Sequence, residues 1–369
     1  MTLHQLFGLI KLSRVHSNPT SAVRHYLISI CLIVSLNAKA LAQANPPQYH
    51  MEYERSHRAS FNQIWDYKFP KYVSKRWFIA LRYQPTLAWS RDVYCKAELL
   101  TSKGWIPFKR VVEGSAEKRP MLIIDYPHDD PKLKSGFTIR TTLIATIYSQ
   151  RLADGPPPTP VLPLRDSVRQ GYLAPTEALD FNEPSAKVWI SQHDLWKKNG
   201  EDALAFARRV QRTLRTQLPY SVADGGRWNC SQIMKVGFGE CARHAIVGTS
   251  ILRANNIPAR AVCTLWAVDE SSKGAHCWGE FFLEGVGWVP YDSSFDQPNP
   301  NADAFFGQRD ADFIAGMVDM DWLIDAGSLG KHSVFAIDAW PAFWAEGEGD
   351  FDGQKCETST TVRVLARFR

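Results

Sequence analysis

Two periodicities divide the chain. Between residues 48 and 150 apolar positions recur every second residue. Val93, Cys95, Ala97 and Leu99 alternate with Asp92, Tyr94, Lys96 and Glu98. Phe137, Ile139, Leu143, Ala145 and Ile147 mostly oppose Thr138, Arg140, Thr142, Thr146 and Tyr148. Successive strand side chains point to opposite faces, so this period predicts strands with one buried face. Glu113-Gly114-Ser115 and His128-Asp129-Asp130-Pro131 interrupt the runs as turns do. An antiparallel β-sandwich over 48–150 is the predicted arrangement. Asp154-Gly155-Pro156-Pro157-Pro158-Thr159-Pro160 can form neither helix nor central strand. A linker is expected over 151–170, and a second domain over 171–369.

In the second half the period changes. Leu204, Ala207, Val210 and Leu214 have helical spacing, which predicts a helix from Glu201 to about Leu218 with Asn199 as its cap. Arg208, Arg209, Arg212 and Arg215 occupy its other faces and read as a solvated surface. A second helix is predicted from Cys241 to about Ala254, after Gly237-Phe238-Gly239-Glu240; Asn255-Asn256-Ile257-Pro258 ends it. Three strands follow, Arg260–Val268, His276–Leu283 and Gly287–Tyr291, the last two joined by the short hairpin connection Glu284-Gly285-Val286. Val362, Val364, Ala366 and Phe368 alternate with polar neighbours and predict a final strand. No internal repeat is visible.

Composition changes this picture little. Of the 369 residues, 45% are hydrophobic and 22% charged, as in ordinary globular chains. The net charge of +5 is concentrated at the start: residues 1–42 hold Lys11, Arg14, Arg24 and Lys39 and no acid. The remainder has 39 basic against 38 acidic residues, so charge gives no reason to expect nucleic acid. Those first 42 residues read as a secretory leader. Arg24 and His25 precede the apolar run Tyr26–Leu36, and Ala40-Leu41-Ala42 supplies small residues for cleavage before Gln43. An eleven-residue run would rise only ~16 Å as a helix, short of a ~30 Å bilayer core. A periplasmic or secreted protein is the expectation, with an uncleaved anchor as the alternative.

Beyond the leader stand Cys95, Cys230, Cys241, Cys263, Cys277 and Cys356. If Cys241 stays reduced, five remain and at least one of those is unpaired. Cys241 is the one with a chemical context. A cysteine opening a helix meets unpaired N–H groups and the positive end of the helix dipole, and both favour thiolate, the attacking species. Its backbone N–H can face the oxyanion of a tetrahedral intermediate. His276 opens a strand, and Asp292 follows the adjacent strand 16 residues later. In an antiparallel hairpin the start of one strand neighbours the end of the next. His276 and Asp292 are therefore expected within hydrogen-bonding reach, as the base and its orienter. Two rivals use the same residues: a local Cys241–His244 pair, and a zinc site from Cys230, Cys241, His244 and Cys263. The second lacks the C-x-x-C pair usual in such sites.

Four motifs together resemble the transglutaminase-like superfamily: Gly239-Glu240-Cys241, Ile257-Pro258-Ala259-Arg260, His276-Cys277-Trp278-Gly279-Glu280 and Gly287-Trp288-Val289-Pro290-Tyr291-Asp292. The resemblance is strong over about 55 residues and of the bacterial secreted cysteine-peptidase type. It implies an α+β fold, with a papain-like catalytic domain preceded by the β-sandwich, and it implies Cys241, His276 and Asp292 as catalytic triad. The implied reaction is acyl transfer through a thioester, resolved by water in a peptidase or amidase and by an amine in a crosslinking enzyme. The implied substrate is a peptide or protein, with cell-wall peptide suggested by location alone. No metal or organic cofactor is implied. The family often takes a second oxyanion donor upstream of the cysteine, for which Tyr220 and Trp228 are candidates. Glu240 and Cys277 stand where aspartate and alanine are commoner; Cys277 fills an alanine site or pairs with Cys263 on a neighbouring strand. Strand placement suggests Trp266, Asp269, Glu270 and Trp278 as cleft walls. A module that keeps the fold without turnover, binding protein or cell wall, is the competing expectation.

Overall fold

The computed structural model of the protein describes residues 48–368 apart from 113–119, 223–228, 269–273, 298–299, 302 and 336–340. The leader expected at 1–42 and the turn at Glu113-Gly114-Ser115 lie outside them. Among the described residues no helix is long and apolar enough to cross a membrane.

The two-residue period becomes seven strands in the first half: β1 (Tyr49–Lys68), β2 (Tyr72–Arg82), β3 (Ser90–Thr101), β4 (Gly104–Pro107), β5 (Lys109–Val112), β6 (Pro120–Pro127) and β7 (Gly136–Asp154). Residues 155–165, with their prolines, hold no helix or strand. Then come α1 (Asp166–Gly171), α2 (Pro184–Gln192), α3 (Ala203–Gln217), α4 (Cys230–Val236) and α5 (Cys241–Ala254). Strands β8 (Ala259–Trp266), β9 (Ala275–Leu283) and β10 (Gly287–Tyr291) precede the short α6 (Ser293–Asp296). The chain ends with β11 (Gln308–Arg309), β12 (Phe313–Val318), β13 (Asp321–Asp325), β14 (Lys331–Phe335), β15 (Ala342–Gly349) and β16 (Lys355–Arg367).

Two antiparallel sheets form the sandwich, ordered β16-β1-β7-β3-β4 and β15-β2-β6-β5, with β11 on β7. Their inner faces share Trp65, Tyr67, Phe69, Trp77, Ile79, Leu99, Phe137 and Ile139. The Trp77 indole N–H is buried there and donates to the Leu133 carbonyl at 2.7 Å.

The domain expected over 171–369 does not run to the end of the chain. β15 pairs with β2, and β16 pairs with β1 from His57↔Arg367 to Lys68↔Lys355. The α+β segment is thus set between β7 and β15, inside the sandwich's own chain path, and Gln48–Arg369 forms one compact unit. The reason is the twenty-residue β1, which pairs with β7 along its whole length and would otherwise offer an open edge of unpaired N–H and C=O groups.

In the α+β segment, α3 buries Leu204, Ala207, Val210 and Leu214, as their spacing predicts. Its cap is Asp202, not Asn199: the Asp202 carboxylate accepts the Ala205 N–H at 2.7 Å. The arginine face carries ion pairs, with Arg212 holding Asp303 at 2.5 Å and Arg209 holding Glu201 at 2.7 Å. Helix α5 is buried from Ala242 to Arg253, between α3 and α4 on one side and the sheet β10-β9-β8-β12 on the other. Tyr291 sets how closely helix and sheet approach. A Cβ on Gly248 of α5 would stand 2.7 Å from the Tyr291 ring, and one on Gly279 of β9 only 2.0 Å. Only glycine leaves that slot open. The sandwich and the segment meet where Phe61, Ala145 and Ile147 pack on Leu265, Ala267 and Ile314.

Candidate active site

Cys241 is the first residue of α5, and Glu240 caps the helix without a side-chain bond. The approach to it is narrow. A Cβ on Gly239 would lie 2.5 Å from Cβ of Arg243, while Gly239 is bonded on both sides, its N–H to Pro219 and its carbonyl to Ser221, each at 3.1 Å. The sulfur is half-buried. It accepts hydrogen bonds from the Cys277 thiol, from the His276 ring and from the Cys277 backbone, and these, with the charge of His276, hold its pKa down at about 5 against the opposition of burial.

His276 pairs with Thr264 across β8 and β9, and its carbonyl accepts the Thr264 hydroxyl at 2.8 Å. Its Nε2 lies 2.6 Å from Oδ2 of Asp292, which leaves Nδ1 for the sulfur. The Phe295 ring stacks on the imidazole with centroids 3.9 Å apart and planes 13° from parallel. Burial works against the imidazolium, but the Asp292 carboxylate outweighs it and raises His276 above its ordinary value.

Asp292 sits where β10 runs into α6. Its Oδ1 caps that helix, accepting the N–H groups of Ser294 at 3.0 Å and Phe295 at 3.1 Å and the Ser294 hydroxyl at 2.7 Å. Its Oδ2 accepts Nη1 of Arg309 at 2.8 Å besides His276. Burial alone would push this carboxyl up. His276, then Arg309 and Ser294, hold it well below the usual carboxylate range instead. The carboxylate is therefore a fixed anion that orients the imidazole and favours its protonated form.

The structure brings Cys241, His276 and Asp292 into one row, sulfur to imidazole to carboxylate. His244 takes no part in it: its Nδ1 meets the Ser293 hydroxyl at 2.7 Å and its Nε2 faces Gln297, and burial pushes its pKa down to about 4. Tyr220 lies close enough for the charges of Cys241, Glu240 and Asp292 to add to burial in raising its phenol. Trp228, Asp269 and Glu270 are outside the described residues. Trp278 is no cleft wall; it is 1% exposed and packs on Trp89 and Phe313. Cys263 and Cys277 face one another across β8 and β9 as thiols, sulfurs 2.7 Å apart, not as a disulfide.

Arg309 is the functional neighbour that sequence reasoning missed. It comes from β11, a two-residue strand held on β7 of the sandwich, and its guanidinium lies 4.4 Å from the Trp278 ring. Nothing in its sequence context marks it. Ser294 was findable, since Asp-Ser-Ser after a strand is a helix-capping pattern.

A search of curated proteins found no match to the chain. Among solved structures the chain is similar to a protein assigned as a cysteine protease from Cytophaga hutchinsonii, with 11% identity, 85% of this chain and 92% of that one covered, and a TM-score of 0.49. It is similar also to the periplasmic domain of TgpA from Pseudomonas aeruginosa, at 13% identity, 63% and 93% coverage and a TM-score of 0.32. Red sea bream transglutaminase follows at 14% identity, 62% and 49% coverage and a TM-score of 0.28. Residues 194–293, the segment that holds the sulfur, the imidazole and the carboxylate, match the model of the transglutaminase-like superfamily.

Proposed function

We propose that the protein is a thiol enzyme acting on peptide or protein amide bonds, with Cys241 as nucleophile, His276 as acid and base, and Asp292 as its orienter. What supports this most is the row itself, a depressed thiol beside an imidazole raised by a buried carboxylate. The Cys241 thiolate attacks the acyl carbon, and the oxyanion that forms faces the free N–H end of α5. The His276 imidazolium then gives its proton to the departing amine, leaving a thioester on Cys241. Water or a second amine, deprotonated by His276, resolves it. Tyr220 is the described candidate for a further oxyanion donor. The competing reading, a silent binding module, would have no use for an activated sulfur.

Alkylation separates the two. Cys241 is expected to react with iodoacetamide along a titration with a midpoint near pH 5, because the thiolate forms as pH rises through that value. Cys95 and Cys230, pushed up by burial to about 11 and about 12, stay silent at pH 6. His276→Ala removes one of the bonds and the charge on the sulfur, and the pH 6 rate should fall about tenfold or more. Equal rates at Cys241 and Cys95 would favour the silent module.

We further propose export through the leader at residues 1–42, on the strength of its basic start, its apolar run and Ala40-Leu41-Ala42. Mass spectrometry of the protein made in a bacterial host should then find Gln43 as the mature amino terminus. A retained Met1 in the exported or periplasmic fraction would refute cleavage.

A further inference from the structure

Three sulfurs lie in contact at the site, and acyl transfer uses only one. Cys277 bonds to the Cys241 sulfur, and on its other side its sulfur is 2.7 Å from that of Cys263. Cys263 and Cys277 are buried, at 2% exposure each, and oppose one another directly in an antiparallel pair. Opposed residues in such a pair have Cα atoms about 4.5–5.5 Å apart, within the range of about 4.4–6.8 Å that a disulfide spans. Cys241 alone of the three is half-buried rather than buried.

We propose that Cys241, Cys277 and Cys263 form a thiol relay that moves oxidation by peroxide off the nucleophile and stores it as a Cys263–Cys277 disulfide. In the first step the Cys241 thiolate attacks hydrogen peroxide; an S–O bond forms, the O–O bond breaks and hydroxide leaves, giving a sulfenic acid. The Cys277 sulfur then attacks the Cys241 sulfur. An S–S bond forms, the S–O bond breaks, and the oxygen departs with the Cys277 proton as water. Finally the Cys263 sulfur attacks Cys277, and Cys241 leaves as thiolate while the Cys263 proton neutralises the first hydroxide. The sum is one peroxide reduced to two waters and two thiols oxidised to one disulfide, with Cys241 restored. In the mixed disulfide the bond from the Cys277 thiol is gone, but the bond and charge of His276 still favour Cys241 as the departing thiolate, and low-pKa thiols leave faster. Without Cys277 the sulfenic acid would meet more peroxide and go on to sulfinic and sulfonic acids, which thiols do not reverse.

The relay rests on the thiolate reading of Cys241 but not on its substrate, and one experiment distinguishes the two. The intact protein is treated with hydrogen peroxide, capped with N-ethylmaleimide and cleaved with trypsin. Cuts after Lys235, Arg243, Arg260, Lys273 and Arg309 put the three cysteines on separate peptides. The wild-type protein should yield a linked pair containing Cys263 and Cys277, with Cys241 still capped by maleimide. Cys263→Ala should stop at a Cys241–Cys277 link that dithiothreitol reverses. In Cys277→Ala and Cys277→Ser, Cys241 should become sulfinic acid at least about tenfold faster than in the wild type. Sulfinic acid at Cys241 appearing equally fast in all of these proteins, with rapid iodoacetamide labelling intact, would overturn the relay alone. A Cys241 that reacts with neither reagent would overturn both the relay and the thiol-enzyme reading.

Discussion

Cys241→Ala should abolish amide-bond turnover, lowering it by about 10⁴-fold or more, with no loss of fold. The size of the effect follows from what the sulfur supplies. In the proposed reaction it forms the covalent acyl intermediate, and His276 and Asp292 have nothing to activate once it is gone. The fold should survive because Cys241 is half-buried at the first position of α5, where alanine is a good helix former. Cys241→Ser should be nearly as inactive. The serine hydroxyl stays protonated where the thiol, with a pKa of about 5, is ionised, and the bonds from Cys277 and His276 favour a thiolate. The assay pairs peptide release from an unfolded protein with incorporation of a fluorescent primary amine, so hydrolysis and transamidation are read together. Turnover within tenfold of wild type in Cys241→Ala would remove the sulfur from the reaction.

Asp292→Ala should harm both activity and stability, and the second effect separates it from Cys241→Ala. His276 would lose the carboxylate that raises it and that fixes Nε2 as donor and Nδ1 toward the sulfur. The comparable loss of an orienting carboxylate costs on the order of 10⁴-fold in a serine-type triad. Arg309 would meanwhile be left buried without the anion it bonds at 2.8 Å, and breaking a buried ion pair from one side costs about 3–5 kcal/mol. The melting temperature should fall by on the order of 5–10 °C. Asp292→Asn keeps the caps of Ser294 and Phe295 and should recover part of the stability but little of the activity, since a neutral amide lacks the charge that raises His276. An Asp292→Ala protein that melts with the wild type would mean the carboxylate carries none of the structural work the site assigns to it.

The local physics of this chain is legible from its residues. Alternation marked β3, β7 and β16, helical spacing and the following Asn-Asn-Ile-Pro bounded α5, and the hairpin between β9 and β10 brings the end of one strand, with Asp292, near the start of the other, with His276. Those are short-range rules, in which a side chain's face depends only on its neighbours in sequence. The tertiary structure decided the rest: that β15 and β16 return to complete the sandwich, that Arg309 reaches Asp292 from a strand held by β7, that Asp202 rather than Asn199 caps α3, and that the sulfurs of Cys263, Cys277 and Cys241 line up. Each depends on which distant segment covers an open strand edge or fills a buried space. Periodicity tells a strand which face to bury but not which partner to take, since backbone N–H and C=O groups are the same in every strand.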